Sequence, residues 1–304
     1  MKPPRLLRIA VPMLLLAGVL AACAPVQTLN ALTPHSTYEL TADVPYGTHP
    51  RQQLDVYRPT ATAPAGGWPV AVFFYGGTWN GGDRADYRFV GEALASRGIL
   101  TLVADYRVYP EVRYPSFVED SAAAVAYGLR QATALGGNPR RVFVVGHSAG
   151  AYNAAMVALD PRWLKAAGTT PRALAGWVGL AGPYDFYPIV NPDAKPVFFH
   201  PDSPPKSQPF EFVSADAPRT FLGAARKDKL VDPQRNAVAL GKRLTDAGVP
   251  VQVKLYRHVG HITLAASMAA PLRWLAPVLD DVALFIDTGR PVPRQMPDEV
   301  RAVQ

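Results

Sequence analysis

The chain has 304 residues, of which 49% are hydrophobic and 18% are charged, a composition that excludes a disordered chain and suits one folded α/β domain. Its formal charge of +7 includes Lys2, Arg5 and Arg8, which precede the first apolar run; without them, 28 basic residues face 24 acidic ones. Because the rest of the sequence has no Lys/Arg cluster, we expect no nucleic-acid partner.

Residues 1–22 have the pattern of a secretory signal peptide. A basic start is followed by an apolar run at 9–20, which is too short to span a bilayer as a stable helix. The run ends in the motif LAAC at 20–23, which resembles the lipobox of bacterial lipoproteins. Its Cys23 is the one cysteine of the chain, so an intrachain disulfide is excluded.

The lipobox resemblance implies that the chain is cut before Cys23 and carries lipid on that cysteine, which would anchor it to a membrane. Because Ala24 is not acidic, the resemblance also implies sorting to the outer membrane of the bacterial envelope, facing the periplasm. The alternative is an ordinary signal peptide cut after Ala24. That cut would leave Pro25 at the new terminus, where proline is poorly tolerated.

Three regions follow the signal peptide. Residues 23–45 are polar, include three prolines and are predicted to be a tether. Residues 46–287 are predicted to form the folded domain. The Pro-rich, charged segment 288–304 is predicted to be a loose tail.

Strands and helices alternate through the folded domain. Continuous apolar runs suit strands that are covered on both faces, as in parallel sheets. The sequence therefore predicts an α/β fold with a mostly parallel sheet and helices on both faces. The predicted strands are 52–59 (an edge strand), 69–77, 99–107, 141–145, 175–182, 219–224 and 251–257. The predicted helices are 87–97, 116–135, one beginning at 149, 233–248 and 262–286.

The segment 184–215 interrupts this alternation. It holds seven prolines and seven aromatic residues, and a disordered linker would rarely hold so many aromatics. We expect an ordered cap packed over a site. The alternative is a long surface loop.

The pentapeptide GHSAG at 146–150 matches the pattern G-x-S-x-G. It follows the apolar run VFVV and precedes a small-residue helix, which is the context this motif requires. A tight turn from strand to helix projects the serine oxygen clear of the sheet, and only small side chains fit beside it. Ser148 is therefore the predicted nucleophile, and the free N–H of Ala149 can face an oxyanion.

A serine hydroxyl needs a base, and two histidines follow the last predicted strand. His258 and His261 both lie where the carboxyl ends of parallel strands gather. Gly260 before His261 favours His261 as the base, with His258 either on the surface or beside the site as a supporting residue. An H-x-x-H metal pair is a third interpretation, but no acidic or cysteine cluster supports it, so we expect no metal.

The base needs a carboxylate that holds its tautomer, and two candidates follow the predicted strand 219–224. Asp228 lies in the turn directly after that strand. Asp232 precedes Pro233 and can cap the next helix. We predict Asp228 as the orienting acid.

The segment YGGTW at 75–79 ends another predicted strand and is a candidate oxyanion loop. Two glycines let the backbone approach a bound carbonyl closely. The predicted oxyanion donors are the N–H groups of Gly77, Thr78 and Ala149. The alternative is a plain glycine turn.

With these parts, residues 46–287 resemble the esterase/lipase group of the α/β-hydrolase superfamily, which includes carboxylesterases like hormone-sensitive lipase, feruloyl esterases and kynurenine formamidases. The order Ser148, Asp228, His261 is that of the superfamily. The usual oxyanion motif of the group is His-Gly-Gly-x, and here Tyr75 replaces its histidine. The resemblance rests on LDVYRP, YGGTWNGGD, VADYRVYPEVRYPSFVED, GHSAG, DKLV and GHITL.

The resemblance implies a serine carboxylic-ester hydrolase that works through an acyl-enzyme on a small-molecule ester and requires no cofactor. It implies structural rather than chemical roles for Asp105 and Asp120. One alternative is amide hydrolysis like that of an arylformamidase. Another, of a different class, is a non-catalytic binding protein of the cell envelope on a hydrolase scaffold.

Overall fold

The computed structural model describes residues 25–288, and its centre is one eight-stranded sheet. The strands are β1 (Tyr38–Pro45), β2 (Gln53–Pro59), β3 (Trp68–Phe74), β4 (Leu100–Ala104), β5 (Gly137–His147), β6 (Gly176–Leu180), β7 (Thr220–Ala225) and β8 (Val251–Tyr256). Their order across the sheet is β1-β2-β4-β3-β5-β6-β7-β8. β2 is antiparallel to β1 and β4, and all other neighbours are parallel.

Helices flank the sheet, as predicted for this fold class. They are α1 (Pro25–Ala31), α2 (Arg88–Ala95), α3 (Ser116–Gln131), α4 (Ala149–Leu159), α5 (Pro161–Ala166), α6 (Ala239–Asp246), α7 (His261–Ala266) and α8 (Val278–Thr288). α3 packs beside α4 and α5, whereas α2 contacts α8. No helix within residues 25–288 is both long enough and apolar enough to span a lipid bilayer.

Most strands in the middle of the sheet are buried along all or nearly all of their length, whereas β5 is buried in its second half. Every residue of β4, β6 and β7 is buried, and so is β3 after its first residue. Strands with cover on both faces read as continuous apolar runs, which is the pattern that predicted a parallel sheet. The α/β prediction is confirmed.

The predicted tether at 23–45 is wrong for the part that the structure describes. α1 and β1 occupy most of this region, and β1 pairs along β2, so that β1 and not β2 forms the edge of the sheet. Five consecutive residues of β1, at 39–43, are exposed. The strand therefore lacks the alternation of apolar and polar residues that would have predicted it. The backbone ladder holds it, and Tyr38 packs on Tyr57 with ring centroids 5.1 Å apart. Cys23 and residues 289–304 of the predicted tail lie outside the described residues.

Most predicted elements have somewhat different bounds in the structure, and three of the differences change how a segment folds. The strand expected at 99–107 ends at Ala104, because the next residues turn into a polar network. The helix expected at 233–248 begins as a π-helical turn at 234–238 before α6. The helical region 262–286 divides into α7, a 3-10 turn at 270–272 and α8.

Arg84 is the centre of that polar network. Its guanidinium donates to Asp55 over 2.9 Å and forms ion pairs with Asp105 and Asp43, while its backbone N–H donates to Asp105 over 2.8 Å. Arg84, Asp55 and Asp105 expose only 12%, 8% and 3% of their side chains. The network ties β2 and β4 to the loop after β3. Asp105 thus has the structural role that the resemblance implied.

Asp120 is the corresponding brace on the helix side. Its carboxylate accepts two bonds from the Arg107 guanidinium, at 2.9 and 2.7 Å, and one from Gln52 at 2.8 Å. Two parallel N–H donors on one carboxylate make a geometrically specific pair. It fixes α3 against the chain that leaves β4.

Replacing Arg84 by Met is expected to cost about 3 kcal/mol or more of unfolding free energy, because it leaves buried carboxylates without their cation. Urea unfolding followed by tryptophan fluorescence measures the loss. The control is Arg172→Met, which removes an ion pair with Asp216 whose partners are 76% and 72% exposed; it should cost less than about 1 kcal/mol. Equal losses in the two variants would contradict this account of the network.

Candidate active site

Ser148 lies in a strained turn between β5 and α4. Its φ of 54° and ψ of −122° are unusual for a residue with a side chain. The turn is tight enough to require glycine on both sides. A Cβ on Gly146 would lie 2.1 Å from the carbonyl oxygen of Gly150, and one on Gly150 would lie 2.1 Å from that of Phe74. The GHSAG motif predicted such a tight turn with small residues on both sides of the serine.

The three predicted catalytic side chains meet at the carboxyl edge of the sheet. Nε2 of His261 lies 2.8 Å from Oγ of Ser148, and Nδ1 of His261 lies 2.7 Å from Oδ2 of Asp228. Ser148 follows β5, Asp228 follows β7, and His261 opens α7 after β8. The imidazole therefore bridges the hydroxyl and the carboxylate.

Asp228 is held as a carboxylate. Its side chain is fully buried, and its Oδ1 accepts the N–H groups of Leu230 at 2.8 Å and Val231 at 3.0 Å. Burial is the largest single influence and opposes ionisation, but the hydrogen bonds from His261 and Val231 outweigh it and hold the pKa of Asp228 below its ordinary value. The ionised acid fixes the proton of His261 on Nδ1, which leaves Nε2 free to accept from Ser148.

The other candidates lie elsewhere. His258 is exposed, as expected for a surface histidine. Asp232 caps the following helical turn, and its Oδ1 accepts the N–H of Gln234 over 2.8 Å. In the part of the chain that the structure describes, no group of three or more His, Cys, Asp or Glu side chains is arranged to hold a metal ion.

The glycine loop after β3 has an unusual backbone. Gly77, Thr78 and Trp79 have φ values of 137°, 52° and 58°, and a Cβ on Gly77 would lie 2.3 Å from the carbonyl oxygen of Gly81. The backbone of Gly76 is engaged with the Tyr87 hydroxyl. Within residues 25–288, the three predicted oxyanion donors have no backbone acceptor, so their N–H groups are available to a bound oxygen. Those donors are Gly77, Thr78 and Ala149.

Tyr75 supports this loop at the position where the family has histidine. Its ring is stacked between Tyr87 and Tyr106, with centroids 5.3 and 5.0 Å away. Its hydroxyl donates to Asp105 over 2.6 Å and accepts from Arg51 over 2.9 Å. A tyrosine can therefore hold the glycine loop through stacking and through the polar network around Arg84.

Trp79 and Asn153 join the loop to α4, a connection that sequence analysis missed. The Trp79 indole donates to Oδ1 of Asn153 over 2.9 Å, and both residues are buried. The tie links the loop with the helix that begins one residue after Ser148. The only sequence signal for it is the tryptophan two residues after the second glycine.

Trp79 also contacts the segment 184–215. The ring centroids of Phe186 and Phe198 in this segment lie 6.0 and 4.9 Å from that of the indole. The hydroxyl of Tyr152 on α4 donates to the carbonyl of Ser207 over 2.8 Å. The segment is therefore packed on the glycine loop and on α4. That it covers a bound substrate stays a prediction.

His147, like Trp79 and Asn153, has a place in the site that the sequence did not predict. It is buried, and its Nε2 lies 3.0 Å from the carbonyl oxygen of His261, while its Nδ1 has no hydrogen-bond partner among residues 25–288. Burial, followed by the nearness of His261, lowers the pKa of His147 to about 3. It is therefore neutral at physiological pH. Sequence reasoning placed His147 only as the variable residue of the serine motif.

The sheet order, the serine turn and the glycine loop define an α/β hydrolase. The family model described as BD-FAE matches residues 54–244. The chain belongs to this BD-FAE family, within the esterase/lipase group that the sequence resembled.

Relatives and solved structures agree with this assignment. The chain is 32% identical over 157 residues to isoprenylcysteine α-carbonyl methylesterase ICME of Arabidopsis thaliana, a match that covers 50% of the chain but 36% of that protein. It is 30% identical over 230 residues to esterase LipC of Mycobacterium tuberculosis, covering 69% and 56%.

The structural matches show the fold alone. Esterase B from Lactobacillus rhamnosis superimposes with a TM-score of 0.72 at 18% identity, covering 92% of the chain and 96% of that structure. A truncated carbohydrate esterase from gut microbiota gives a TM-score of 0.69 at 17% identity, covering 84% and 98%.

The buried, neutral His147 predicts a specific loss of stability in acid. The unfolded chain takes up a proton on this histidine near its ordinary pKa of about 6.5, whereas the folded chain does so only near 3. The contribution of His147 is therefore complete above about pH 6.5, and it falls at lower pH by up to about 1.4 kcal/mol per pH unit.

His147→Gln removes the titration but keeps a donor. We expect urea unfolding between pH 7.5 and 5 to give a shallower fall of stability in this variant than in the wild type, with the two differing by about one bound proton below pH 6. Parallel curves over this range would mean that His147 is protonated as readily in the folded protein as in the unfolded chain.

Proposed function

We propose that the chain is a serine carboxylesterase that forms an acyl-enzyme on Ser148. The observation that carries the proposal is the His261 imidazole, which lies within hydrogen-bond distance of both Ser148 and Asp228. A nucleophile, a base and an orienting acid in this geometry perform acyl transfer on many unrelated folds.

In the acylation step, Oγ of Ser148 attacks the ester carbonyl while Nε2 of His261 takes its proton. The carboxylate of Asp228 stabilises the resulting imidazolium through Nδ1–H. The N–H groups of Gly77, Thr78 and Ala149 donate to the oxyanion, a contribution worth several kcal/mol in such sites. His261 then gives its proton to the leaving alcohol oxygen, and the acyl group stays on Ser148.

In the deacylation step, water takes the place of the alcohol. His261 accepts a proton from the water as it attacks the acyl carbonyl, and the same N–H donors hold the second oxyanion. Collapse of this intermediate returns the proton to Ser148 and releases the acid. The ionised state of Asp228 supports both steps, because the imidazole must gain and lose a proton in each.

An ester is favoured over an amide as the substrate. The relatives ICME and LipC are named as a methylesterase and an esterase, and the family is of the esterase/lipase group. The filled triad also disfavours the non-catalytic scaffold, since a binding protein has no need for the aligned hydroxyl, imidazole and carboxylate.

Ser148→Ala is expected to lower the turnover of p-nitrophenyl acetate by about 10⁴-fold or more, because it removes the nucleophile. The control is Ser121→Ala, which removes a fully buried hydroxyl that lies away from the site and donates to the carbonyl of Phe117 within α3. It should retain wild-type turnover. A fluorophosphonate probe should label wild-type protein and Ser121→Ala but not Ser148→Ala, and mass spectrometry should place the label on Ser148.

Two outcomes would overturn this proposal in different directions. Hydrolysis of N-formylkynurenine without hydrolysis of simple esters would favour the formamidase-like alternative. The absence of both turnover and labelling from folded wild-type protein would favour the non-catalytic scaffold.

We further propose that the enzyme is anchored by lipid at Cys23 to the outer membrane, facing the periplasm. The support is the LAAC motif at 20–23, the single cysteine of the chain at its last position, and the non-acidic Ala24. Only Ala24 separates Cys23 from Pro25, where α1 begins, so the anchor would hold the domain close to the membrane surface.

Expression of the full chain in a Gram-negative host tests the anchor. Cys23→Ser should abolish incorporation of radiolabelled palmitate and remove the protein from the outer-membrane fraction. Ala24→Asp should keep the label but move the protein to the inner membrane. Unlabelled, fully soluble wild-type protein would instead favour the ordinary signal peptide cut after Ala24.

A further inference from the structure

His147 lies between the three parts of the proposed catalytic machinery, although the reaction described above does not use it. It is the last residue of β5 and directly precedes Ser148. Its Nε2 lies 3.0 Å from the carbonyl oxygen of His261, and the two imidazole rings are 5.2 Å apart. A Cβ built on Gly76 would lie 3.3 Å from its Nδ1, so the Nδ1 edge of the ring adjoins the glycine loop.

The partners of His147 determine its protonation. A carbonyl oxygen only accepts, so Nε2 must carry the proton that is donated to His261. Nδ1 is buried and has no partner among the described residues, so a proton there would be buried without an acceptor. A charged His147 would also repel the imidazolium that His261 becomes during the proposed reaction. The neutral tautomer with Nε2–H therefore suits both neighbours, in agreement with the lowered pKa of this group.

The helix that carries the base needs an external tie. α7 has six residues, which is too short for a helix to be stable without tertiary contacts. Its last three residues are buried in the core, but at the end that carries the base Ile262 is 71% exposed, and the hydrogen bond between the N–H of Gly260 and the Thr263 hydroxyl is local to the turn. The bond from His147 instead joins the backbone of His261 itself to the strand that ends at the nucleophile.

We propose that His147 is a positioning residue, whose Nε2–H bond to the carbonyl of His261 sets the distance between the imidazole and the Ser148 hydroxyl. This inference rests on the proposed function, and it assigns the variable residue of the serine motif a role in that same site. The 2.8 Å contact between His261 and Ser148 is sensitive to it, because a shift of about 1 Å at a catalytic group can cost about 10²-fold in rate.

Two substitutions separate the donor from the volume of the side chain. His147→Leu fills the space without a donor, and His147→Gln places an amide N–H near the position of Nε2. Steady-state kinetics with p-nitrophenyl acetate should show a fall in kcat of about 10²-fold in His147→Leu, with KM changed by less than about 3-fold. His147→Gln should recover kcat to within about 5-fold of wild type. The control is His258→Leu, which removes an exposed histidine from the loop between β8 and α7 and should behave as wild type.

A spectroscopic measurement makes the test independent of turnover. Proton NMR of wild-type protein should show a downfield Nδ1–H resonance from the bond between His261 and Asp228, assigned by its loss in His261→Gln. We expect this resonance to remain in His147→Gln and to broaden or vanish in His147→Leu. Thermal unfolding of each variant shows that the comparison is made on folded protein.

The outcomes separate this inference from the proposed function. A folded His147→Leu with wild-type kcat and an intact resonance would overturn the positioning role while leaving the esterase proposal standing. Impairment of His147→Gln as severe as that of His147→Leu would also overturn it, because the donor would then be irrelevant. If wild-type protein neither turns over esters nor takes the fluorophosphonate label, the proposed function fails, and the Nδ1–H resonance alone decides whether His147 positions His261.

Discussion

The close approach of three backbone segments around Ser148 is the constraint on which the rest of the site depends. A Cβ on Gly150 would overlap the carbonyl of Phe74, and one on Gly146 would overlap the carbonyl of Gly150, so neither position can hold a side chain. This crowding forces the strained φ of Ser148 and lifts its hydroxyl off the sheet. The bond from the N–H of Ser148 to the carbonyl of Leu180, at 2.8 Å, locks the turn onto β6.

The parallel sheet brings the remaining groups to that turn. β3, β5 and β7 are parallel strands of one sheet, so the glycine loop, Ser148 and Asp228 leave it at the same edge. β8 ends at that edge too and leads to His261. Ser148 and Asp228 are 80 positions apart along the chain, and Asp228 and His261 are 33 apart, yet all three lie at this edge of the sheet. The order of the strands, rather than any local feature, makes the three side chains neighbours.

These groups could be predicted from sequence because each carries a local signal. Ser148 stands in a pentapeptide between a strand and a helix, Asp228 in a turn after an apolar run, and His261 after a glycine that follows the last strand. Each signal spans a few residues, and the fold class supplies their common edge. β1 lacked such a signal: its side chains are largely exposed, and only pairing with β2 makes it a strand.

The parts that sequence reasoning missed depend on partners far along the chain. Arg51 and Asp105 hold the Tyr75 hydroxyl, Asn153 holds Trp79, and His147 holds the backbone of His261. None of these pairs has a characteristic spacing, because each joins elements whose contact exists only once the sheet has formed. The replacement of the family's histidine by Tyr75 shows the consequence. Judged by the motif His-Gly-Gly-x alone, Tyr75 is a departure from the family. In the structure, the stacked tyrosine rings and the Arg84 network support the glycine loop. The side chains of the proposed triad are therefore signalled locally in the sequence, whereas the contacts that surround them, such as the bond from His147 to the backbone of His261, join distant parts of the chain.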